Sequence, residues 1–303
     1  MMLKKLSATL VSVTTAAALC VGCSSSDGSG DTGPQPDENG ITTIKLGVTD
    51  AGKKQWPILI EKAKAENINV ELVPYTDYVT PNKALAEGQI DVNRYQHLIF
   101  LAQNQANTKD TLVPIASTEV FPLPLYWKGH DSLDGIEGQT VAIPNDPTNG
   151  GRAIKVLEKA GLITLKDNAK NALSPTPSDI DEANSKVAIN DVDATQTAIV
   201  WDNGTPAVIN QNFLQRAGID PTTALTADDP KDASSEPYIN VWVTRPEEAD
   251  NEAINRITEI WYDPEVQVAV AEDTGHSAVT VKKPREELQK ILDKLVDEVK
   301  ANN

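Results

Sequence analysis

Apolar and polar residues alternate over 43–48 (TIKLGV), apolar ones recur at helical spacing over 56–66, and these two periods then take turns along the chain. Short apolar runs at 70–73, 112–117 and 123–127 predict strands, while 82–87 predicts a short helix behind Pro81. After residues 90–97 an apolar helix is expected through Gln103. Strands alternating with helices imply a mainly parallel sheet and an α/β fold. A polar, turn-rich segment at 130–138 opens a second lobe near Lys128, with strands at 139–143 and 187–190, a loop-like acidic stretch at 174–184, and 206–210 leading into another helix. The strand at 239–244 returns the chain to the first lobe. This divides the chain into lobe one (43–127 and 238–303) and lobe two (128–237). Two crossings between lobes make a hinge, and hinged lobes enclose a cleft. From Pro284, Leu288, Ile291, Leu292, Leu295 and Val299 share one face of a packing helix, with Glu286 and Lys290 four apart outside it.

The segment from Val141 to Ala160 carries the most chemistry. A strand ends in the turn Pro144-Asn145-Asp146-Pro147, and a helical pattern starts near Asn149. The first N–H groups of a helix lack backbone partners and sit at the positive end of its dipole, so this order suits an anion. Gly150 and Gly151 are expected to let a ligand approach the backbone, and the planar guanidinium of Arg152 can hold a carboxylate through two parallel bonds. Ala153, Ile154, Leu157 and Ala160 give the helix an apolar face. Taken alone, the same residues also describe a glycine-capped surface loop with a solvated arginine.

Residues 1–22 add an address. Lys4 and Lys5 precede an apolar run of small residues, which ends at Gly22-Cys23 and is short for a membrane span. This pattern predicts a lipoprotein signal that leaves Cys23 as the lipidated first residue and places the protein outside the cytoplasm, anchored to the membrane. Cys20 and Cys23 are the only cysteines of the 303 residues, so the mature fold has no disulfide and no thiolate chemistry. Residues 23–42, rich in Gly, Ser, Asp and Pro, are expected to form a flexible tether. Gly28, Gly30 and Gly33 spell G-x-G-x-x-G within it, but no strand precedes them and the match is chance. The formal net charge of −17 repels nucleic acid and anionic headgroups, so nucleic acid is not an expected partner.

The stretch VAIPNDPTNGGRAI followed by LEKAGLITLKD resembles the signature of the NlpA-type lipoproteins, the methionine-binding components of ABC importers. DYVTPNKALAEGQIDVNRYQH (77–97), AVIN (207–210) and EPYIN (236–240) extend the resemblance in the same order. It implies a two-lobed periplasmic-binding-protein-like fold of type II, with an amino acid held between the lobes. Carried over position by position, it implies that Arg152 pairs with the ligand carboxylate, helped by Asn149. Asn210 and Asn240 would bond the amino and carboxylate groups. Tyr78, Tyr95, His97 and Phe100 would wall the thioether, a contact that suits aromatic edges. The implied partners are methionine, an ABC permease with its ATPase, and the membrane through the lipid. D-methionine, a methionine-containing dipeptide or another small amino acid remain open as the cargo. The sequence departs from the family around Trp56, over 195–206, and at Phe100, where tyrosine is usual.

Other classes find less support. His97, His130 and His276 are dispersed without metal-ligand spacing, and there is neither a G-x-S-x-G elbow nor a P-loop. No catalytic residue, metal or cofactor is therefore expected, and a hydrolase would have to be assembled from scattered residues. An adhesin or scaffold accounts for export but not for a matched pocket.

Overall fold

The computed structural model describes residues 33–302. The expected signal peptide (1–22), Cys23 and the first part of the expected tether lie outside the described residues. Where the tether is described, it is fastened to the fold. Pro36 bridges Thr42, Asn251 Nδ2 donates to Pro34 O at 3.1 Å, and Asp37 Oδ1 accepts from the N–H groups of Asn39 and Ile41. Thr42 already belongs to a strand. Of the residues expected to form the tether, those from Pro34 to Thr42 are bonded to the fold or to one another.

The first sheet is built on β1 (Thr42–Val48), which pairs in parallel with β2 (Ile68–Pro74) and β3 (Val92–His97). The returning strand β10 (Asn240–Thr244) lies antiparallel between β3 and β4 (Val113–Ser117), giving the order β2-β1-β3-β10-β4. Period-two geometry sends alternate side chains of β10 to opposite faces. Trp242 joins Trp56 and Trp261 on the face covered by α1 (Gln55–Lys64), α7 (Glu252–Ile260) and α8 (Pro264–Asp273). Val241 and Val243 join the other core, under α2 (Thr80–Ala86), α3 (Leu98–Asn107) and α9 (Arg285–Asn302). Leu288, Leu292, Leu295 and Val299 of α9 are buried there and Ile291 packs at the margin.

The second sheet has the order β6-β9-β7-β8, from β6 (Leu125–Tyr126), β7 (Thr140–Pro144), β8 (Ala188–Val192) and β9 (Ala207–Val208). Helices α4 (Pro147–Lys159), α5 (Thr197–Asp202) and α6 (Gln211–Ala217) pack around it. A small ladder joins β5 (Glu119–Val120) to β11 (Val279–Thr280). The strand expected at 123–127 does not belong to the first lobe: Leu125 and Tyr126 pair with Val208 and Ala207. The reason is burial, since Leu123, Leu125 and Trp127 all enter the core of the second sheet. The outward crossing therefore precedes residue 125. The return begins after Thr226, which bridges back to Leu125. Within 174–184, read as a loop, Pro177–Asp179 and Glu182–Asn184 form single turns of 3₁₀ helix.

Four charged side chains are buried beneath the first sheet. Arg94 Nη2 donates to Glu119 Oε2 at 2.7 Å, while Lys53 and Arg94 lie 3.7 and 3.6 Å from Asp50 Oδ2. Trp56 and Trp261 donate their indole N–H groups to Asp50 and Glu119. Desolvation lowers the Lys53 pKa, with Asp50 opposing it.

Candidate functional site: a cleft between the two sheets

Between the sheets lies a cleft, and all eight residues singled out in the sequence line it. Tyr95, His97, Phe100 and Asn240 come from β3, α3 and β10, and Tyr78 from the loop between β2 and α2. Asn149 and Arg152 come from α4, and Asn210 precedes α6. Phe121, Pro122 and Leu123 of the outward crossing close one end.

The start of α4 differs from its sequence reading. The helix begins at Pro147, with Asp146 as its cap, because a proline at the first position needs no N–H partner and an aspartate can accept from the third. Asp146 Oδ1 accepts from Asn149 N at 2.9 Å and from Thr148 Oγ1 at 2.9 Å, so the positive helix end is already met by this carboxylate. Burial raises the Asp146 pKa against these bonds. The glycines do not open the backbone to a ligand. A Cβ on Gly150 would lie 2.6 Å from Pro144 O, and one on Gly151 would lie 2.7 Å from Ser174 Cα. They let α4 press against the end of β7 and the segment at Ser174.

Asn149 is the centre of a polar chain. Its Nδ2 donates to both oxygens of Asp146 at 3.1 Å, and its Oδ1 accepts from Asn210 Nδ2 at 2.8 Å. His97 Nε2 lies 3.3 Å from the same oxygen. The tautomer follows from the other ring nitrogen: His97 caps α3 and its Nδ1 accepts from Phe100 N at 3.2 Å, so Nε2 carries the proton and donates. Burial first, then the Arg152 charge, lower the His97 pKa to about 3. Asn149 thus gives its carbonyl to Asn210 and His97 and turns one edge of its amide toward Asp146, while lining the cleft beside Arg152. The free group is Asn210 Oδ1, a buried acceptor without a partner. Asn240 faces His97 in the β3–β10 register, and its Nδ2 donates to Tyr238 O at 3.3 Å.

Arg152 is 4% exposed and held on three sides. Its Nε donates to Asp228 Oδ2 at 2.6 Å, its Nη2 donates to Phe121 O at 2.7 Å, and its guanidinium lies 4.1 Å over the Tyr238 ring. Asp228 Oδ1 in turn accepts from Leu123 N at 2.7 Å. The arginine is thus bonded to the outward crossing through Phe121 and to the return crossing through Asp228. Its Nη1 has no hydrogen-bond partner among the described residues.

Tyr78, Tyr95 and Phe100 give the cleft an aromatic wall. Tyr78, Tyr95 and Phe100 are mutually 6.0 Å apart, and Phe213 of α6 approaches Tyr78 to 5.1 Å across the cleft. Tyr95 donates to Tyr78 O at 3.2 Å, and burial pushes its hydroxyl pKa well above the ordinary value. Behind the wall Asn82 and Gln96 exchange amide bonds of 2.8 and 2.6 Å, and Asn93 joins both. This triad ties α2 to β3. The departures at Trp56 and Trp201 lie elsewhere, in a core of the first lobe and against the apolar cluster around Phe213. Sequence reasoning missed Asp228, Tyr238 and the crossing residues 121–123. Tyr238 stood in the quoted EPYIN stretch, whereas nothing local distinguishes Asp228 from its neighbour Asp229.

Residues 44–282 match the NlpA lipoprotein family. The D-methionine-binding lipoprotein MetQ of Escherichia coli (strain K12) is 35% identical over 238 residues, 77% of this chain and 86% of that protein. The protein of the same name from Salmonella typhi is 36% identical over the same shares. Among solved structures, protein PG110 from Staphylococcus aureus has a TM-score of 0.77 at 33% identity, covering 83% of this chain and 99% of its own. A nutrient binding protein from Burkholderia cenocepacia, solved bound to methionine, has a TM-score of 0.71 at 30% identity over 78% and 99%. The fold is the two-lobed α/β form of periplasmic binding proteins. The family match runs through both sheets and every residue of the cleft, and the chain is a member of the NlpA lipoprotein family.

Proposed function

We infer that the protein is a lipid-anchored receptor that binds methionine in this cleft and delivers it to an ABC permease driven by its ATPase. The observation that carries the reading is the pairing of two unsatisfied groups: Arg152 Nη1 is a free cationic donor and Asn210 Oδ1 a free buried acceptor. An α-amino acid offers a carboxylate to the first and an ammonium to the second, and a buried zwitterion is stable only when both ends are matched. Asn240 supplies a further amide, and Tyr78, Tyr95, His97 and Phe100 suit a flexible thioether. The role is binding rather than catalysis. The family's lipoprotein character and the Gly22-Cys23 pattern support attachment through Cys23, outside the cytoplasm.

Mass spectrometry of small molecules released on denaturing the purified protein tests the reading, followed by calorimetric titration with L-methionine, D-methionine and glycyl-methionine. The expected result is released methionine and a titration that Arg152→Ala abolishes. Absence of binding by all three ligands would overturn the methionine assignment.

A further inference from the structure

We propose that Asp228 is the counter-charge of the cleft, which aims Arg152 and makes the site select a zwitterion over a simple anion. The inference rests on the amino-acid receptor reading above. Asp228 lies on the return crossing and binds two donors with its two oxygens, Arg152 Nε at 2.6 Å and Leu123 N at 2.7 Å. With Nε and Nη2 both engaged, the guanidinium cannot turn about its stem, and Nη1 is the edge left for a carboxylate. Asp228 is thereby a positioning residue.

Its charge matters as much as its geometry. Asp228 is the carboxylate in contact with Arg152, and the two form a neutral pair before any ligand arrives. The next carboxylate, Asp146, is engaged by Asn149, Thr148 and the start of α4. His97 is neutral over the physiological range. A ligand bearing both a carboxylate and an ammonium keeps such a buried site balanced, whereas a bare carboxylate leaves one negative charge in excess. Without Asp228 the arginine would be uncompensated, and an anion would become the better match. Rejection of the wrong charge state is then a property of Asp228 as well as of the groups that touch cargo.

The test uses the full chain, wild type and Asp228→Asn, each titrated calorimetrically with L-methionine and with 4-(methylthio)butanoate, the same molecule without its ammonium. Asparagine has nearly the same shape but carries no charge and cannot accept from both donors. The wild type should prefer methionine by at least tenfold, and the variant should compress that preference at least tenfold. Equal weakening of both ligands, or no change in the ratio, overturns the proposal. Failure of the wild type to bind methionine instead overturns the receptor reading. The aiming role is then judged without ligand, from the Arg152 Nε–H exchange rate by ¹⁵N NMR. That proton should be protected in the wild type and exchange at least tenfold faster in the variant, and an unchanged rate overturns the role. Should Asp228→Asn not fold, Asp228→Ser retains an acceptor for Leu123 and is judged by the same ratio.

Discussion

His97 Nε2 and Asn149 Oδ1 meet at 3.3 Å across the cleft, joining the end of β3 in the first lobe to α4 in the second. The ring is neutral because its Nδ1 accepts from Phe100 N, and burial lowers its pKa from 6.5 to about 3. A protonated histidine is then accommodated better in the unfolded chain than in the fold. The contribution of His97 is constant above about pH 6.5 and turns against the fold as pH falls from there toward 3, at roughly 1 kcal/mol per pH unit. Urea unfolding of wild type and His97→Gln at pH 7, 6 and 5 checks this, because acidic groups common to both chains cancel. The variant should lose less stability per pH unit than the wild type. Identical slopes would contradict it.

Arg152→Lys retains a positive charge but cannot reproduce a fork that bonds Asp228 and Phe121 while leaving one edge free. Methionine affinity should fall about a hundredfold, equivalent to roughly 3 kcal/mol, the scale of a charge-assisted bond and its lost aim. Calorimetry reads this directly. Retention within threefold would show that charge alone holds the carboxylate.

Gly150→Ala and Gly151→Ala would each raise the intrinsic helix propensity of α4 by about 1 kcal/mol, yet both new methyl groups would meet backbone at under 3 Å. Overpacking of this kind typically costs more than that gain. Each variant should be destabilised by about 1–2 kcal/mol in urea unfolding, and a stabilised variant would refute the packing role.

Arg94→Met would leave Glu119 buried with its Trp261 bond but without its cation. Breaking one side of such a buried pair costs about 3–5 kcal/mol. The double variant Arg94→Met with Glu119→Gln should recover part of that loss, as a double-mutant cycle would show. A single-variant cost under about 1 kcal/mol would mean that Asp50 and Lys53 rearrange to compensate.

The regular elements were legible because their signals are local. Helical spacing at Leu288, Leu292, Leu295 and Val299 located α9, and the apolar run after 239 located β10. Asp146-Pro147 also held a local signal, a cap followed by a first-turn proline, although the glycines drew attention two residues further on. The remaining features are products of distance. Gly151 owes its identity to Ser174, and Asp228 to Arg152 and Leu123. Two-residue strands such as β9 are too short to show any period. Apart from Arg152, the residues lining the cleft could be named in advance only through the resemblance, since no spacing places Asn149 beside His97.

Fastening Arg152 to both crossings also gives the molecule a fulcrum. Rotation of one lobe against the other displaces points in proportion to their distance from the pivot. The guanidinium, bonded to Phe121 on one crossing and Asp228 on the other, sits where the lever arm is shortest. His97 and Asn149, or Tyr78 and Phe213, lie on opposing lobes and part company as the angle widens. A widening of this angle would therefore be asymmetric, like a book held at the spine: the aromatic pages would separate while the arginine stayed at the binding.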